Sequence, residues 1–67
     1  MDAATIKTAR MLKNMTQAQL AHELGVSLPT VSRWETGSCE PSPMAIIRLC
    51  AVLGLKEKGG KYVVMGK

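Results

Sequence analysis

Phenylalanine is absent, and Trp34 and Tyr62 are the only aromatic residues. A core without large rings has to be filled by Leu, Ile, Val, Ala and Met. That suits short helices packed closely more than a large ligand pocket, and no small-molecule substrate is expected. There is one histidine, His22, and there are two cysteines, Cys39 and Cys50. These are too few for a convincing zinc site. No base, orienting residue or phosphate-cradling glycine loop accompanies them, so the expectation is no metal, no cofactor and no enzyme. Cys50 is expected in the core and Cys39 in an exposed loop. No apolar run approaches the roughly 20 residues that span a bilayer, and no secretory leader is visible. The expected setting is the cytoplasm, with reduced thiols and no membrane partner.

What remains is a chain of 67 residues, 46% of them hydrophobic. A domain of this length buries only about 60% of its unfolded surface, so one modest core is expected. The net charge is +4. Up to Leu53, five basic residues face Asp2, Glu23, Glu35 and Glu40 for a net +1. From Gly54 onward, Lys56, Lys58, Lys61 and Lys67 face only Glu57. An anionic partner fits this balance, and so does a solvated basic tail.

Punctuation along the chain predicts four helices, near residues 3–13, 17–24, 28–36 and 43–53, in an all-α fold. Asp2 can cap the first, which carries Ile6, Ala9 and Met11 or Leu12. Asn14 tolerates the left-handed conformation that ends helices. Thr16 with Gln19 makes a capping box, and Met15 with Leu20 a hydrophobic staple. Gly25 stops the second helix, and after Val26 the next cap is Ser27. Val26 and Val31 form a second staple pair, and Pro29 falls in a first turn, where its missing N–H matters little. Thr36-Gly37 ends the third helix. Ser42 caps the fourth, whose buried stripe is read as Met44, Ile46, Ile47, Leu49, Cys50 and Leu53, closed by Gly54. The predicted core is Leu20, Ala21, Leu24, Val31, Trp34, Ile46, Leu49 and Leu53.

Two helices joined by so tight a turn at Gly25 form a helix-turn-helix. Ala21 is small where the second helix faces the third. Arg10, Thr16-Gln17, Leu20-Ala21, Gly25-Val26-Ser27, Val31, Trp34-Glu35, Gly37 and Pro41-Ser42 together resemble the phage repressor and Cro-like, or XRE-type, helix-turn-helix family. The likeness covers roughly residues 5–54. It implies a repressor-like DNA-binding domain over residues 1–54, working in a prokaryotic or phage-infected cytoplasm on the nucleoid. Its partner would be double-stranded DNA, and its role transcriptional regulation, repression in the first instance. It would bind a palindromic operator as a homodimer, with helix 28–36 in the major groove.

The resemblance gives the outward face of that helix its purpose. Leu28 and Pro29 can meet thymine methyl groups, and Arg33 can read the O6 and N7 pair of a guanine. Ser32 can bond a base or phosphate; Thr30 can reach a phosphate; Thr36 and Ser38 complete the set. Other roles are open to each. Ser27 can serve only as a cap, Leu28 can fold inward beside Val31, Arg33 can touch only backbone, and Thr30 and Ser32 can face solvent. Gln17 is expected to bind phosphate at a helix N-terminus, where anions are favoured. Arg10 and Glu35 are expected to form the family's structural ion pair.

One departure stands out. The loop after Gly37 often carries basic residues in this family, whereas here it holds Glu40, which would repel phosphates. An antitoxin-type regulator that also binds a partner protein is the alternative function. A module that has lost DNA binding is a further rival, marked by a flat salt dependence. Residues 55–67 form a separate basic, β-prone tail. Gly59-Gly60 opposes a fifth helix, and "KYVVM" needs an edge to pair with. That edge is either a second copy, giving a two-fold ribbon that supports a weak homodimer, or "LKEK" folded back as a hairpin; a disordered basic tail is the third option. The first is the favoured expectation.

Overall fold

Every helix begins at a capping side chain named by the sequence. Asp2, Thr16, Ser27 and Ser42 each accept a hydrogen bond from the backbone N–H three residues on. The computed structural model describes residues 1–64. It contains α1 (Ala3–Leu12), α2 (Gln17–Leu24), α3 (Leu28–Thr36) and α4 (Pro43–Leu53), then β1 (Leu55–Lys58) and β2 (Lys61–Val64). The capping box at α2 is complete: Gln19 N–H donates to Thr16 Oγ1 at 3.0 Å, and Thr16 N–H donates to Gln19 Oε1 at 2.8 Å. Such caps satisfy donors that no helix can pair internally.

The turns are equally local in origin. Asn14 has φ +57°, and the N–H of Met15 reaches back to Arg10 C=O at 3.1 Å. Gly25 has φ +72°, and Val26 N–H reaches Ala21 C=O at 3.0 Å. This six-residue closure folds Met15 and Val26 back onto the core, where both are half-buried. Three residues, Gly25 to Ser27, thus carry the chain from α2 to α3, and α3 packs across α2 and α1.

The core comprises Ile6, Ala9, Leu20, Ala21, Leu24, Val31, Trp34, Leu49, Leu53 and Leu55. Trp34 is 6% exposed and Val31 fully buried, so the register of α3 is as expected. Three expectations need correction. Met11 and Leu12 are 57% and 64% exposed, because Ile6 and Ala9 are the α1 residues buried in the core and Met11 and Leu12 lie off that side. Met44 and Ile47 of α4 are 63% and 64% exposed. Ile46 and Cys50 are only half-buried. Arg48 is the one charged residue in α4, so its apolar pattern could not say which side faces inward. Cys39 is exposed, as expected.

The tail folds as the hairpin rather than as a lone strand awaiting a second copy. β1 and β2 pair antiparallel, with Leu55 opposite Val64 and Lys58 opposite Lys61. Gly59 and Gly60 both take positive φ, at +60° and +84°. A two-residue turn of this kind matches the twist of the flanking strands and needs residues that tolerate positive φ. Leu55, immediately after α4, anchors the hairpin in the core at 6% exposure. Met65 and Lys67, counted in the tail, lie outside the described residues.

Candidate nucleic-acid interface

α3 presents two faces. At about 100° per residue, Leu28, Pro29, Ser32, Arg33 and Thr36 fall on one side of the helix, with Val31 and Trp34 opposite. Leu28 is 46% exposed, which settles its direction as outward. Pro29, Arg33 and Thr36 are exposed and Ser32 is half-buried. The only salt bridge among the described residues joins Arg10 to Glu35, so the Arg33 guanidinium stands uncommitted on this face.

The polar side chains at its ends are held locally. Ser27 Oγ caps Thr30 N–H at 3.3 Å and lies 2.8 Å from Thr30 Oγ1. Ser27 is therefore a cap, still exposed, and Thr30 is half-buried beside it. Thr36 Oγ1 donates to Arg33 C=O at 3.2 Å and lies 3.1 Å from Ser38 Oγ. The exposed Ser38 hydroxyl thereby joins the end of the same helix.

What fixes α3 in space is a buried polar tie. Arg10 Nε and Nη2 donate to Glu35 Oε2 and Oε1 at 2.7 and 3.0 Å. Arg10 Nη1 also donates to Met15 C=O at 2.6 Å, which secures the α1–α2 turn. The two side chains are only 12% and 2% exposed. Burial pushes the Glu35 carboxyl up, but hydrogen bonds from Arg10 and Gln17, with the charges of Arg10 and Lys7, more than offset it. Its pKa falls below the ordinary value. The hydrogen bond to Glu35 raises the Arg10 pKa further. One residue from each of α1, α2 and α3 meets here.

Gln17 is the member that sequence reasoning placed elsewhere. Its Nε2 donates to Glu35 Oε1 at 3.0 Å, so the amide is part of the tie. Its second N–H and the first backbone N–H groups of α2 remain at the open helix end. Arg48 was missed entirely: its Nη1 donates to Leu24 C=O at 3.2 Å and joins α4 to the end of α2. No local signal marks that contact, since it depends on how α4 is rotated. Among the described residues no group of His, Cys, Asp or Glu could hold a metal ion. No helix there is long and apolar enough to cross a membrane.

A short second helix leads through a glycine turn into a third, whose inner face is locked and whose outer face is free. That arrangement defines a helix-turn-helix DNA-binding protein. The helix-turn-helix family model matches residues 6–59, most of the chain. The chain belongs to the XRE-type, Cro/repressor-like branch of that description, a family of DNA-binding transcriptional regulators that are typically not enzymes. Comparison with curated proteins finds no match.

Proposed function

We propose that this regulator is sequence-specific, places α3 in the major groove, and binds a palindromic operator as a homodimer to repress transcription. The observation that carries the reading is the outward face of α3, with Arg33 unpaired beside the exposed Leu28 and Pro29. A guanidinium free to present its fork matches guanine, and the two apolar residues match thymine methyl groups. Ser32 and Thr36 extend this surface. Ser27, Thr30 and Ser38 lie at its ends, where hydroxyls meet phosphate. Gln17 donates its remaining N–H to a phosphate while Glu35 holds the side chain in place. The ordering of Gln17 before DNA arrives lowers the entropy lost on binding. Repression follows from occupancy, because a protein seated in the groove excludes others from the same base pairs.

Selection of binding sites from random duplexes with the purified full chain tests this. A preferred two-fold site is expected. Arg33→Ala should weaken that site by ~1–3 kcal/mol and relax one base pair in each half. Gln17→Ala should weaken all sequences about equally. Unchanged site preference in Arg33→Ala would remove Arg33 from base reading.

A further inference from the structure

We propose that the outer face of α4 is the homodimer contact, packed antiparallel against α4 of a second copy with Ile47 at the two-fold axis. The inference rests on the dimeric reading above. Met44, Ile47 and Ala51 are spaced by three and four along α4, and all three are exposed. Ile47 and Met44, at 64% and 63%, are among the most exposed large apolar side chains among the described residues. A helix apolar nearly all round is normally covered on every side. Here α2, α1 and β1 cover the inner side only.

Charge identifies a second copy as the occupant. Across an antiparallel pair centred on Ile47, positions equally far before and after it face one another. Met44 then meets the neighbourhood of Cys50 and Ala51, and the small Ala51 side chain lets the helices approach closely. Glu40 lies seven positions before Ile47 and Gly54 seven after. Lys13 sits at that end: a Cβ on Gly54 would stand 3.4 Å from Lys13 Nζ. Glu40, in the loop just before α4, is then placed near the partner's α4 C-terminus, where the charge of Lys13 is the cation that meets it, twice by symmetry. This gives a use to the acidic loop residue that DNA would disfavour. The opposed helix dipoles are also satisfied.

Size sets the strength. A stable interface buries about 800 Å² on each partner. One face of an eleven-residue helix offers less, so the contact is weak in free solution. It takes effect on DNA, where two half-sites hold the copies at high effective concentration.

The test uses the full chain and two duplexes, the selected palindrome and the same duplex with one half-site scrambled. Ile47→Glu alters an exposed position and should leave the melting temperature and single half-site affinity unchanged. Palindrome affinity should fall about tenfold, with loss of cooperativity. Glu40→Lys and Lys13→Glu should each reduce cooperativity, and the double variant should restore it. Intact cooperativity in Ile47→Glu would overturn the α4 contact while leaving the dimer in place. Independent filling of the two half-sites by the unaltered chain would overturn the dimeric reading and this inference with it.

Discussion

Glu35 shows how one residue ties fold to function. Its carboxylate is buried, yet Arg10 and Gln17 supply three hydrogen bonds to it. Removing Arg10 would leave that charge unpaired, and Arg10→Ala should destabilise the fold by about 3–5 kcal/mol, measured by urea unfolding. The folded-state pKa of Glu35 is depressed, so its stabilising effect is complete above the unfolded carboxyl pKa of about 4.3. It disappears as pH falls through the lower folded value. Stability should therefore drop on acidification below about pH 4, and Glu35→Gln should flatten that drop. An equal acid response in Glu35→Gln would assign it to other carboxyls. Asp2 titrates in the same direction, its carboxyl lowered by the Thr5 hydroxyl and N–H, but it is an exposed cap. Trp34→Ala should remove about 3–5 kcal/mol by leaving a cavity between α3 and its neighbours.

At the scale of elements, the α2–α3 turn and the hairpin turn differ in what they demand. Nothing lies within 4 Å of a Cβ placed on Gly25, so only backbone strain opposes a side chain there. Gly25→Ala should destabilise by ~1–2 kcal/mol, the strain of a left-handed alanine. Unfolding curves that overlay those of the parent would show that the turn relaxes. In the hairpin, Asn at the first turn position suits positive φ. Gly59→Asn should therefore keep the hairpin and its cross-strand amide contacts by NMR, whereas Gly59→Val should lose them. Caps and turns were legible because each is decided within four residues. The hairpin was legible only as one of three options, beside a ribbon with a second copy and a disordered tail: "KYVVM" shows a strand that needs a partner, and the partner depends on where α4 delivers Leu55.

For the molecule as a whole, the charge of +4 and the free α3 face make a salt prediction. Affinity should fall steeply with salt, by about 0.9 log unit per log unit of salt for each phosphate neutralised by a Lys or Arg. Titration of one operator duplex at several salt concentrations reads the slope. A flat slope would show that Arg33 and the lysines neutralise no phosphate; the uncharged Gln17, Ser27, Thr30 and Ser38 do not contribute to the slope. The basic residues concentrate in the hairpin, not on α3, so charge alone did not locate the interface. The burial of Val31 and Trp34 fixes the rotation of α3 and so decides which of its faces the proposed interface would use.

The sequence by itself determined the four helices, their caps, the tight glycine turn and the outward register of α3. Those features rest on short-range hydrogen bonds and on helical periodicity, which any stretch of chain carries with it. The Arg10–Glu35 pair was legible through family resemblance, not through spacing, since 25 positions separate the two residues. Only the tertiary structure decided that Gln17 joins that pair, that Leu28 faces outward, and that Arg48 reaches Leu24. Only it showed that α4 leaves Met44 and Ile47 uncovered. Each of these depends on how one element is rotated against another. A nearly uniform apolar helix such as α4 carries no periodic signal for that rotation, so packing against α2 and Leu55 had to choose it.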